Sequence, residues 1–336
     1  MNEWSMLSRL PPVAQLAAAR ITGDPFAGYN VSAAQRAQLE QLRCAEDSIA
    51  VVIGCGRTTV SLCAAMRMTW SQPTASQCAA DNVFNVQIQH PRTPLSLFDA
   101  VITPQHDVSE GATVPDNLLL TTGTVSLLDH NEVTEEGLKW EAALKPYLQG
   151  KDRRAVWLVG GPCRGFSFDT HVVEEMIASV LNLVRGQDGT KTSSLLVTFS
   201  RRTPETVKRM IEERLTSALD ASHELFIWNG EGLNPYLALL HHASVLVTTP
   251  DSVSMTTEAI LSGKQVCTVG AEHMKGKFRR FHDTLQARGD VIPLPISGGI
   301  THSNGCIGRD EIEQELDAIA GDLVHKIVER IKCSTV

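Results

Sequence analysis

The segment from Thr248 to Ala259 combines residue types that could hold a nucleoside diphosphate. Asp251 or Ser252 is predicted to cap a helix, and the free N–H groups from Ser252 to Met255 would then attract phosphate oxygens without a lysine. Glu258 follows further along the same helix, where its carboxylate could accept both hydroxyls of a ribose. In the alternative interpretation the serines only cap the helix and Glu258 is a solvated residue. The binding residues predicted in this segment are Asp251, Ser252, Ser254, Met255 and Glu258.

Two more loops place arginines directly after a predicted strand. The loop from Ser200 to Pro204 begins a helix, but a helix start does not require two adjacent arginines, which suit a diphosphate; solvated charge is the alternative. The loop from Gly160 to Gly165 has three glycines and a proline, so a ligand could pass closely, with Arg164 as a phosphate donor. Its alternative is a glycine-rich interdomain turn. The binding residues predicted in these loops are Gly160, Gly161, Arg164, Ser200, Arg201 and Arg202.

Two glycines also follow the first predicted strand, in the turn from Gly54 to Thr58. Gly54 and Gly56 allow a tight turn that exposes backbone N–H groups ahead of a helix, and Arg57 could add a charged contact. These three residues join the predicted nucleotide-binding set. The turn lacks both the G-x-G-x-x-G spacing and the lysine of a P-loop. An ordinary strand-to-helix turn is the alternative.

The acid and base candidates are His106 and Asp107, which follow the strand predicted over Phe98 to Thr103. Either could take a proton from a substrate, and a surface turn is the alternative. The sequence has no G-x-S-x-G, H-E-x-x-H or kinase signature, which excludes those hydrolase, metalloprotease and kinase classes. The eight cysteines are scattered, without a C-x-x-C pair or a short His/Cys cluster. We therefore predict no metal site, no bound cofactor, and free thiols in the cytosol.

Short apolar runs alternate with helix-period segments, a pattern that predicts parallel strands joined by crossover helices. In the first half, strands are predicted at Ile49–Gly54, Phe84–Gln89, Phe98–Thr103 and Asn117–Thr121, with helices at Thr58–Met68 and Thr134–Leu148. In the second half, strands are predicted at Ala155–Val159, Ser194–Phe199, Glu224–Trp228, Ser244–Thr248 and Gln265–Val269. The helices between them are predicted at Thr170–Val184, Pro204–Leu219, Pro235–His242 and Ser252–Leu261.

The hydrophilic run from Gly150 to Arg154 is the predicted domain boundary. We expect a first domain over residues 1–150 and a second over residues 151–308, which ends in a loop at Gly298–Gly308. A C-terminal helix follows over residues 309–336, with its amphipathic part at Asp310–Ile331.

Composition narrows the functional classes. The 336 residues favour two domains, and the net charge of -8 argues against a nucleic-acid partner, because phosphate neutralisation needs a basic face. No apolar run approaches the roughly 18 to 20 residues of a membrane helix. Pro11 and Pro12 argue against an N-terminal targeting peptide. We therefore predict a soluble, cytoplasmic protein without a membrane span.

Taken in order, the strand junctions resemble those of the Elongated Mitochondria fission-factor family, whose members are similar to bacterial glycosyltransferases of the two-domain GT-B type. The matching stretches are Ile53-Gly-Cys-Gly-Arg-Thr58, Gln87-Ile-Gln-His-Pro-Arg92 with Phe98-Asp99 and His106-Asp107, Val159-Gly-Gly-Pro162, Ser200-Arg-Arg-Thr-Pro204, Asn234-Pro-Tyr236, Asp251-Ser-Val-Ser-Met255 with Glu258-Ala259, and Lys277-Phe278. The resemblance implies an α/β fold of two Rossmann-like domains that face a cleft, with a nucleotide sugar in the second. Arg201, Arg202 and the Ser252 helix would meet the diphosphate, and Glu258 the ribose.

The sequence departs from the family at its beginning. Family members usually open with a strand and a loop resembling G-H-x-x-Q, and no such motif is present between Met1 and Pro12. If Met1 is the true start, the first domain lacks a strand and part of the acceptor side of the cleft.

The resemblance implies a mitochondrial fission factor on a glycosyltransferase-like scaffold. Plant members of the family are linked to recruiting a dynamin-related GTPase to the mitochondrial outer surface. Two alternatives stay open. One is an active glycosyltransferase that uses a nucleotide-diphosphate sugar, with His106 or Asp107 as the base and with arginine and the helix dipole in place of a metal. The other is a pseudo-enzyme that binds a nucleotide only to stabilise its domain arrangement.

Overall fold

A computed structural model describes residues 11–43, 49–71, 83–126, 128–151, 153–185, 193–219, 224–294 and 306–334. The chain divides into two compact units, the first formed by Met1–Val125 with Glu315–Val336 and the second by Ser126–Gln314. Each unit contains one parallel sheet with helices packed against it. The predicted α/β fold class with two Rossmann-like sheets is confirmed.

The first unit is built on four parallel strands in the order β1-β2-β3-β4. The strands are β1 (Ala50–Cys55), β2 (Val83–Ile88), β3 (Ala100–Pro104) and β4 (Leu118–Thr121), and the helices that precede or join them are α1 (Pro12–Thr22), α2 (Ala33–Arg43) and α3 (Val60–Trp70). One face of the sheet packs on α3 through Cys63 and Ala64. The other face is covered by Ile319, Leu323 and Ile327 of the C-terminal helix α10 (Cys306–Ser334). The sheet is therefore a layer between two helices, as parallel sheets require.

A buried carboxylate fixes both helices to this sheet. The Asp99 side chain is 4% exposed and accepts two hydrogen bonds from Arg67 of α3, at 2.9 and 3.0 Å. It also accepts one from Arg330 of α10 at 2.8 Å and one from the Asn85 backbone N–H at 2.9 Å. Two guanidinium groups and a backbone donor compensate its burial, so the carboxylate ties three elements together.

The second unit contains six parallel strands in the order β10-β9-β8-β5-β6-β7. They are β5 (Arg153–Val159), β6 (Ser193–Phe199), β7 (Leu225–Ile227), β8 (Val245–Thr248), β9 (Gln265–Val269) and β10 (Ile292–Leu294). The helices are α4 (His130–Leu148), α5 (Thr170–Arg185), α6 (Glu205–Ala218), α7 (Tyr236–His242), α8 (Val253–Leu261) and α9 (Lys277–Arg288). Numbered within the unit, the strands run 3-2-1-4-5-6 from β7 to β10, which is the doubly wound Rossmann order.

The apolar sequence of the central strand explains its position. In β5, the residues from Ala155 to Val159 are all buried, and Trp157 is fully enclosed. A strand buried on both faces reads as a continuous apolar run, and this one packs on α5 through Val173, Met176 and Val180. The core of the second unit is therefore formed by β5 and its two neighbours.

Each predicted strand and helix is present, with small shifts at the ends. The terminal helix begins earlier than predicted, at Cys306, and continues to Ser334. Four elements were not predicted, namely α1, α2, α9 and β10. The predicted loop at Gly298–Gly308 lies mostly outside the described residues, and so do Met1 to Leu10, where the opening family motif was sought.

The observed division of the chain differs from the predicted boundary at Gly150–Arg154. Helix α4 precedes that boundary but belongs to the second unit. The reason is its packing on α7, where His242 Nε2 lies 3.0 Å from Gly137 O. A Cβ at Gly137 would overlap the His241 ring, so the glycine permits the close approach of the two helices. The hydrophilic run marks the end of α4 and not the end of a domain.

In the described parts of the chain, no helix is both long enough and apolar enough to cross a lipid bilayer.

Candidate functional site

The candidate site lies in the second unit, where the strand order reverses between β5 and β8. Leu158 and Thr248 are paired there, and the loops that follow them begin at Gly160 and Thr249. In open parallel sheets, ligands bind outside the carboxyl ends of the strands at this reversal. Two of the segments with predicted binding residues, at 160–165 and 248–259, therefore meet at the position where the fold favours a ligand.

Asp251 links these loops from inside the protein. Its side chain is 0% exposed and accepts hydrogen bonds from the Gly161 N–H at 2.9 Å, the Thr249 hydroxyl at 2.7 Å and Arg202 Nη2 at 2.9 Å. The Thr249 hydroxyl in turn accepts from the Gly160 N–H at 2.8 Å. We call these five residues the Asp251 bracket. The prediction placed Asp251 against the ligand, whereas its carboxylate is engaged within the protein.

The two glycines after β5 are required by this bracket. A Cβ at Gly160 would overlap the Asp251 carboxylate, and a Cβ at Gly161 would overlap the Arg202 backbone. Thr203 completes the arrangement, because its hydroxyl donates to Gly160 O at 2.5 Å. The close approach at these glycines is thus made by other parts of the protein, the Asp251 side chain at Gly160 and the Arg202 backbone at Gly161.

Helix α8 supplies the predicted anion-binding groups. Ser252 is its N-cap, and the Ser252 hydroxyl accepts from the Met255 N–H at 3.3 Å. The Thr256 N–H bonds to Ser252 O, so the first-turn donors still available among the described contacts are the N–H groups of Val253 and Ser254. Ser254 is exposed and Met255 half-buried. The helix begins directly beside the bracket, so the N–H groups of Val253 and Ser254 lie at the strand reversal.

Glu258 lies one turn beyond Ser254 on the same side of α8, because residues four apart share a helix face. The Tyr236 hydroxyl donates to Glu258 Oε2 at 2.7 Å. Burial raises the pKa of Tyr236, and the neighbouring Glu258 raises it further, so the hydroxyl keeps its proton. The bond fixes one carboxylate oxygen of the half-buried Glu258, and no hydrogen bond among the described residues engages Oε1.

The predicted arginines differ in how they are held. Arg202 is 52% exposed although it bonds Asp251, so its guanidinium edge reaches the surface next to the bracket. Arg201 and Arg164 are exposed. The Ser200 hydroxyl accepts from the Arg202 N–H at 3.2 Å and thereby shapes the turn after β6. Arg202 is the arginine that the structure places against the strand reversal.

The predicted residues Gly54, Gly56 and Arg57 belong to the first unit, after β1. Gly56 has a φ of 77°, a conformation that favours glycine, and a Cβ at Gly54 would lie 2.6 Å from Gln87 Oε1. These constraints explain both glycines without a ligand. Arg57 is exposed.

The acid and base candidates also belong to the first unit, in the short turn after β3. His106 is 5% exposed, and Asp107 Oδ1 lies 3.6 Å from Arg92 Nη2. Arg92 and Gln89 have positive φ values of 58° and 74°, which are rare for residues other than glycine. The Asp107 carboxylate thus lies against Arg92 of the segment that follows β2, and the buried His106 is poorly placed to reach a substrate from solution.

Sequence reasoning missed two parts of the site. The sequence does not single out Thr249, because a threonine at a strand end is common; its one signal is the pair Thr248-Thr249 ahead of Asp251. Tyr236 stands in the predicted helix start at Asn234-Pro235, and its hydroxyl is a hydrogen-bond donor whose partner on another helix the sequence does not reveal. Among the described residues, no group of three or more His, Cys, Asp or Glu side chains is arranged to hold a metal ion.

The strand order and the loops at its reversal define a doubly wound α/β protein with a Rossmann-type ligand position. A family profile described as "Mitochondrial fission ELM1" matches residues 3–320, and the chain belongs to that family.

Two curated relatives resemble the chain. It is 33% identical over 269 residues to the mitochondrial fission protein ELM1 of Arabidopsis thaliana, an alignment that covers 73% of this chain and 57% of the relative. It is 28% identical over 219 residues to an uncharacterised protein of Rickettsia prowazekii, which covers 55% of this chain and 57% of that one. The chain thus spans little more than half the length of each relative.

Solved structures with partial similarity include two enzymes. One is the UDP-GlcNAc 2-epimerase of Neisseria meningitidis bound to UDP-GlcNAc, with a TM-score of 0.47 and 15% identity over 98% of this chain and 78% of that one. The other is a UDP-forming trehalose-phosphate synthase of Burkholderia vietnamiensis, with a TM-score of 0.45 and 12% identity over 96% and 78%.

Proposed function

We propose that this protein promotes mitochondrial fission from a glycosyltransferase-like GT-B scaffold, by recruiting a dynamin-related GTPase to the mitochondrial outer surface. The observation that carries this proposal is family membership along residues 3–320. The 33% identity to the Arabidopsis fission protein supports it. The proposal concerns the full-length protein, since the chain spans 57% of that relative.

Cells that lack the protein test this function directly. We expect their mitochondria to lengthen, and we expect the dynamin-related GTPase to leave the mitochondrial fraction while its total amount stays constant. Re-expression of the full-length protein should restore both. Mitochondria of normal length in the deletion, with the GTPase still on their surface, would refute the proposal.

The second part of the proposal is that the second unit binds a nucleoside diphosphate or its sugar. The diphosphate would accept from the Val253 and Ser254 N–H groups at the start of α8, with Arg202 beside it. Glu258 would accept from the ribose hydroxyls through the oxygen that Tyr236 does not engage. Its support is that all these groups lie around one strand reversal in the Rossmann order.

Calorimetric titration with UDP, GDP, ADP and CMP, and with their sugars, tests this binding. A ligand at one hundred times its dissociation constant stabilises the fold by about 2.7 kcal/mol, a shift that thermal melting also detects. We expect Glu258→Gln to weaken binding, whereas Glu213→Gln on the exposed side of α6 should not. If no nucleotide binds the folded protein, the scaffold acts only through its partners.

An active glycosyltransferase is the second candidate function. The hydrogen bond between Tyr236 and Glu258 favours this function. The start of a helix does not require a hydrogen bond to a carboxylate, and this one lies where we propose that the nucleotide binds. Transfer of sugar to an acceptor, lost in Glu258→Gln, would support this candidate. Saturable binding without transfer or hydrolysis of the donor would leave a nucleotide-binding pseudo-enzyme.

A further inference from the structure

Helix α7 joins the candidate nucleotide position to helix α4. Its first residue is Tyr236, whose hydroxyl donates to Glu258 Oε2 at 2.7 Å. Its last two residues, His241 and His242, lie against α4. The helix has seven residues and is about 10 Å long, so the contact with α4 at one end is about two turns from the candidate ribose contact at the other.

The C-terminal end of α7 is held by two other elements. His242 Nε2 lies 3.0 Å from Gly137 O of α4. The His242 carbonyl accepts from Arg154 Nε of β5 at 2.7 Å, which satisfies one of the last carbonyls of the helix. Between the two ends, residues 238–240 are fully buried. A short helix packed in this way transmits a displacement of one end to the other, because close-packed interiors yield little.

Gly137 is the point of closest approach between α4 and α7. It is buried inside α4, although glycine weakens the interior of a helix relative to alanine. A Cβ at this position would overlap the His241 ring and would also lie 2.9 Å from His241 Cβ. Rotation of the ring could not relieve the second contact, because the backbone of α7 fixes His241 Cβ. A side chain at position 137 would therefore push the two helices apart.

The hydrogen bond at the other end of α7 tolerates little displacement. An O–H···O bond has a donor–acceptor distance of about 2.5 to 3.0 Å, and the Tyr236 hydroxyl lies 2.7 Å from Glu258 Oε2. Glu258 belongs to α8, which packs on β8 and β9, so it would not follow a movement of α7. A shift of α7 by about 1 Å along the bond would break it.

We propose that Gly137 and His241 are positioning residues for the ribose contact. The packing of α4 on the C-terminal end of α7 sets the place of the Tyr236 hydroxyl at the N-terminal end. That hydroxyl holds the Glu258 carboxylate in the orientation that accepts from a ribose. The role in ribose binding rests on the nucleotide site proposed above, whereas the coupling of α4 to Tyr236 is a property of the second unit alone. The ribose preference of the site thus depends on two residues that lie outside it.

Calorimetric titration with UDP, GDP and ADP, each compared with its 2′-deoxy form, measures the ribose preference as a ratio of dissociation constants. We expect Gly137→Ala to reduce this ratio at least about fivefold, because a hydrogen bond to a carboxylate is lost. The matched control is Gly321→Ala in α10, where a Cβ would meet nothing within 4 Å among the described residues, and this variant should keep the original ratio. Adding His241→Gly to Gly137→Ala should restore the ratio, because the glycine is then moved to the facing helix.

A double-variant comparison separates positioning from a loss of stability. If Gly137 acts through the Tyr236 hydroxyl, Gly137→Ala should not change the ratio any further in a protein that already carries Tyr236→Phe. A merely structural role would lower the melting temperature of Gly137→Ala and leave its ratio unchanged. That result would overturn the proposal, and so would an equal effect of Gly137→Ala with and without Tyr236→Phe.

Hydrogen exchange of the full chain without nucleotide tests the coupling independently. In Gly137→Ala we expect the backbone amides of residues 236–240 to exchange at least about tenfold faster, since α7 loses its contact with α4, and Gly321→Ala should leave them unchanged. If Gly137→Ala does not fold, His241→Ala is measured instead, because it removes the ring without creating an overlap, and it should accelerate the same amides. Unchanged exchange in the folded variant would overturn the coupling. Accelerated exchange in a protein that binds none of these nucleotides would support the coupling and refute the nucleotide site.

Discussion

Replacing Asp251 with alanine tests whether the bracket holds the ligand position together. The substitution removes the acceptor of three hydrogen bonds, from Gly161, Thr249 and Arg202. The Gly161 N–H and the fully buried Thr249 hydroxyl are left without that acceptor, and an unsatisfied buried donor costs about 1 to 3 kcal/mol. Arg202 is half exposed and regains water, so its loss adds little. We expect Asp251→Ala to reduce the free energy of unfolding by about 3 to 5 kcal/mol.

Thermal melting of the full chain, followed by circular dichroism without nucleotide, measures this loss. For a unit of this size, 1 kcal/mol corresponds to about 2 to 4 °C, so the melting temperature of the second unit should fall by roughly 10 °C. Asp251→Asn keeps one acceptor oxygen, so its melting temperature should fall by less than that of Asp251→Ala. The melting temperature of Arg202→Ala should also fall, because the buried Asp251 carboxylate loses its cation, whereas Arg201→Ala at the exposed neighbouring position should melt like the original protein. A melting temperature unchanged in Asp251→Ala would refute the bracket and return Asp251 to the predicted ligand contacts.

Three other outcomes are expected. Tyr236→Phe removes a hydrogen bond to a carboxylate, worth about 1.5 to 3 kcal/mol, and should weaken ribonucleotide binding more than 2′-deoxyribonucleotide binding in calorimetric titrations. Arg330→Ala leaves buried Asp99 with one fewer cation and should destabilise the first unit by about 2 to 3 kcal/mol in urea titrations, while Lys332→Ala on the exposed end of α10 should not. Burial lowers the pKa of His282, so below the ordinary value of about 6.5 the unfolded chain binds a proton that the folded chain does not, and stability should fall with acid. His282→Gln, which can still donate to Pro250 O, should reduce that fall between about pH 7.5 and pH 5.5; an unchanged slope would contradict the assignment.

The strands could be predicted because their residues are buried on both faces and read as uninterrupted apolar runs, as in Ala155–Val159. Helix α9 escaped prediction because only Phe281, His282 and Leu285 of it are buried, and its N-cap is Gly276 with no side-chain cap. Strand β10 has three residues, one of them Pro293, and such a segment forms a strand only because it pairs with β9 at the sheet edge. Local sequence carries too little information for either element.

The candidate site was predictable in place but not in detail. A polar cap after an apolar strand is a local signal, and of the two predicted caps, Asp251 and Ser252, it is Ser252 that caps α8. Two of the three partners of Asp251, Gly161 and Arg202, come from other loops, so its own segment does not show that the carboxylate turns inward. The link between Tyr236 and Glu258 is hidden for the same reason, since the two residues lie on different helices. Residue types and strand order located the loops, whereas tertiary contacts decided which of their side chains are engaged within the protein.

The inward position of Asp251 also explains why arginine follows β6. A buried carboxylate beside the start of α8 would repel a diphosphate, since like charges in a poorly solvated position interact strongly. Arg202 bonds that carboxylate directly and still exposes half of its side chain, so it cancels the negative charge and leaves donors at the surface. The bracket can therefore hold the two loops together without weakening the attraction of the helix N-terminus for anions. This arrangement separates two tasks that the sequence pattern merges: Asp251 joins the loops, while α8, Arg202 and Glu258 are the groups that we propose bind a nucleotide.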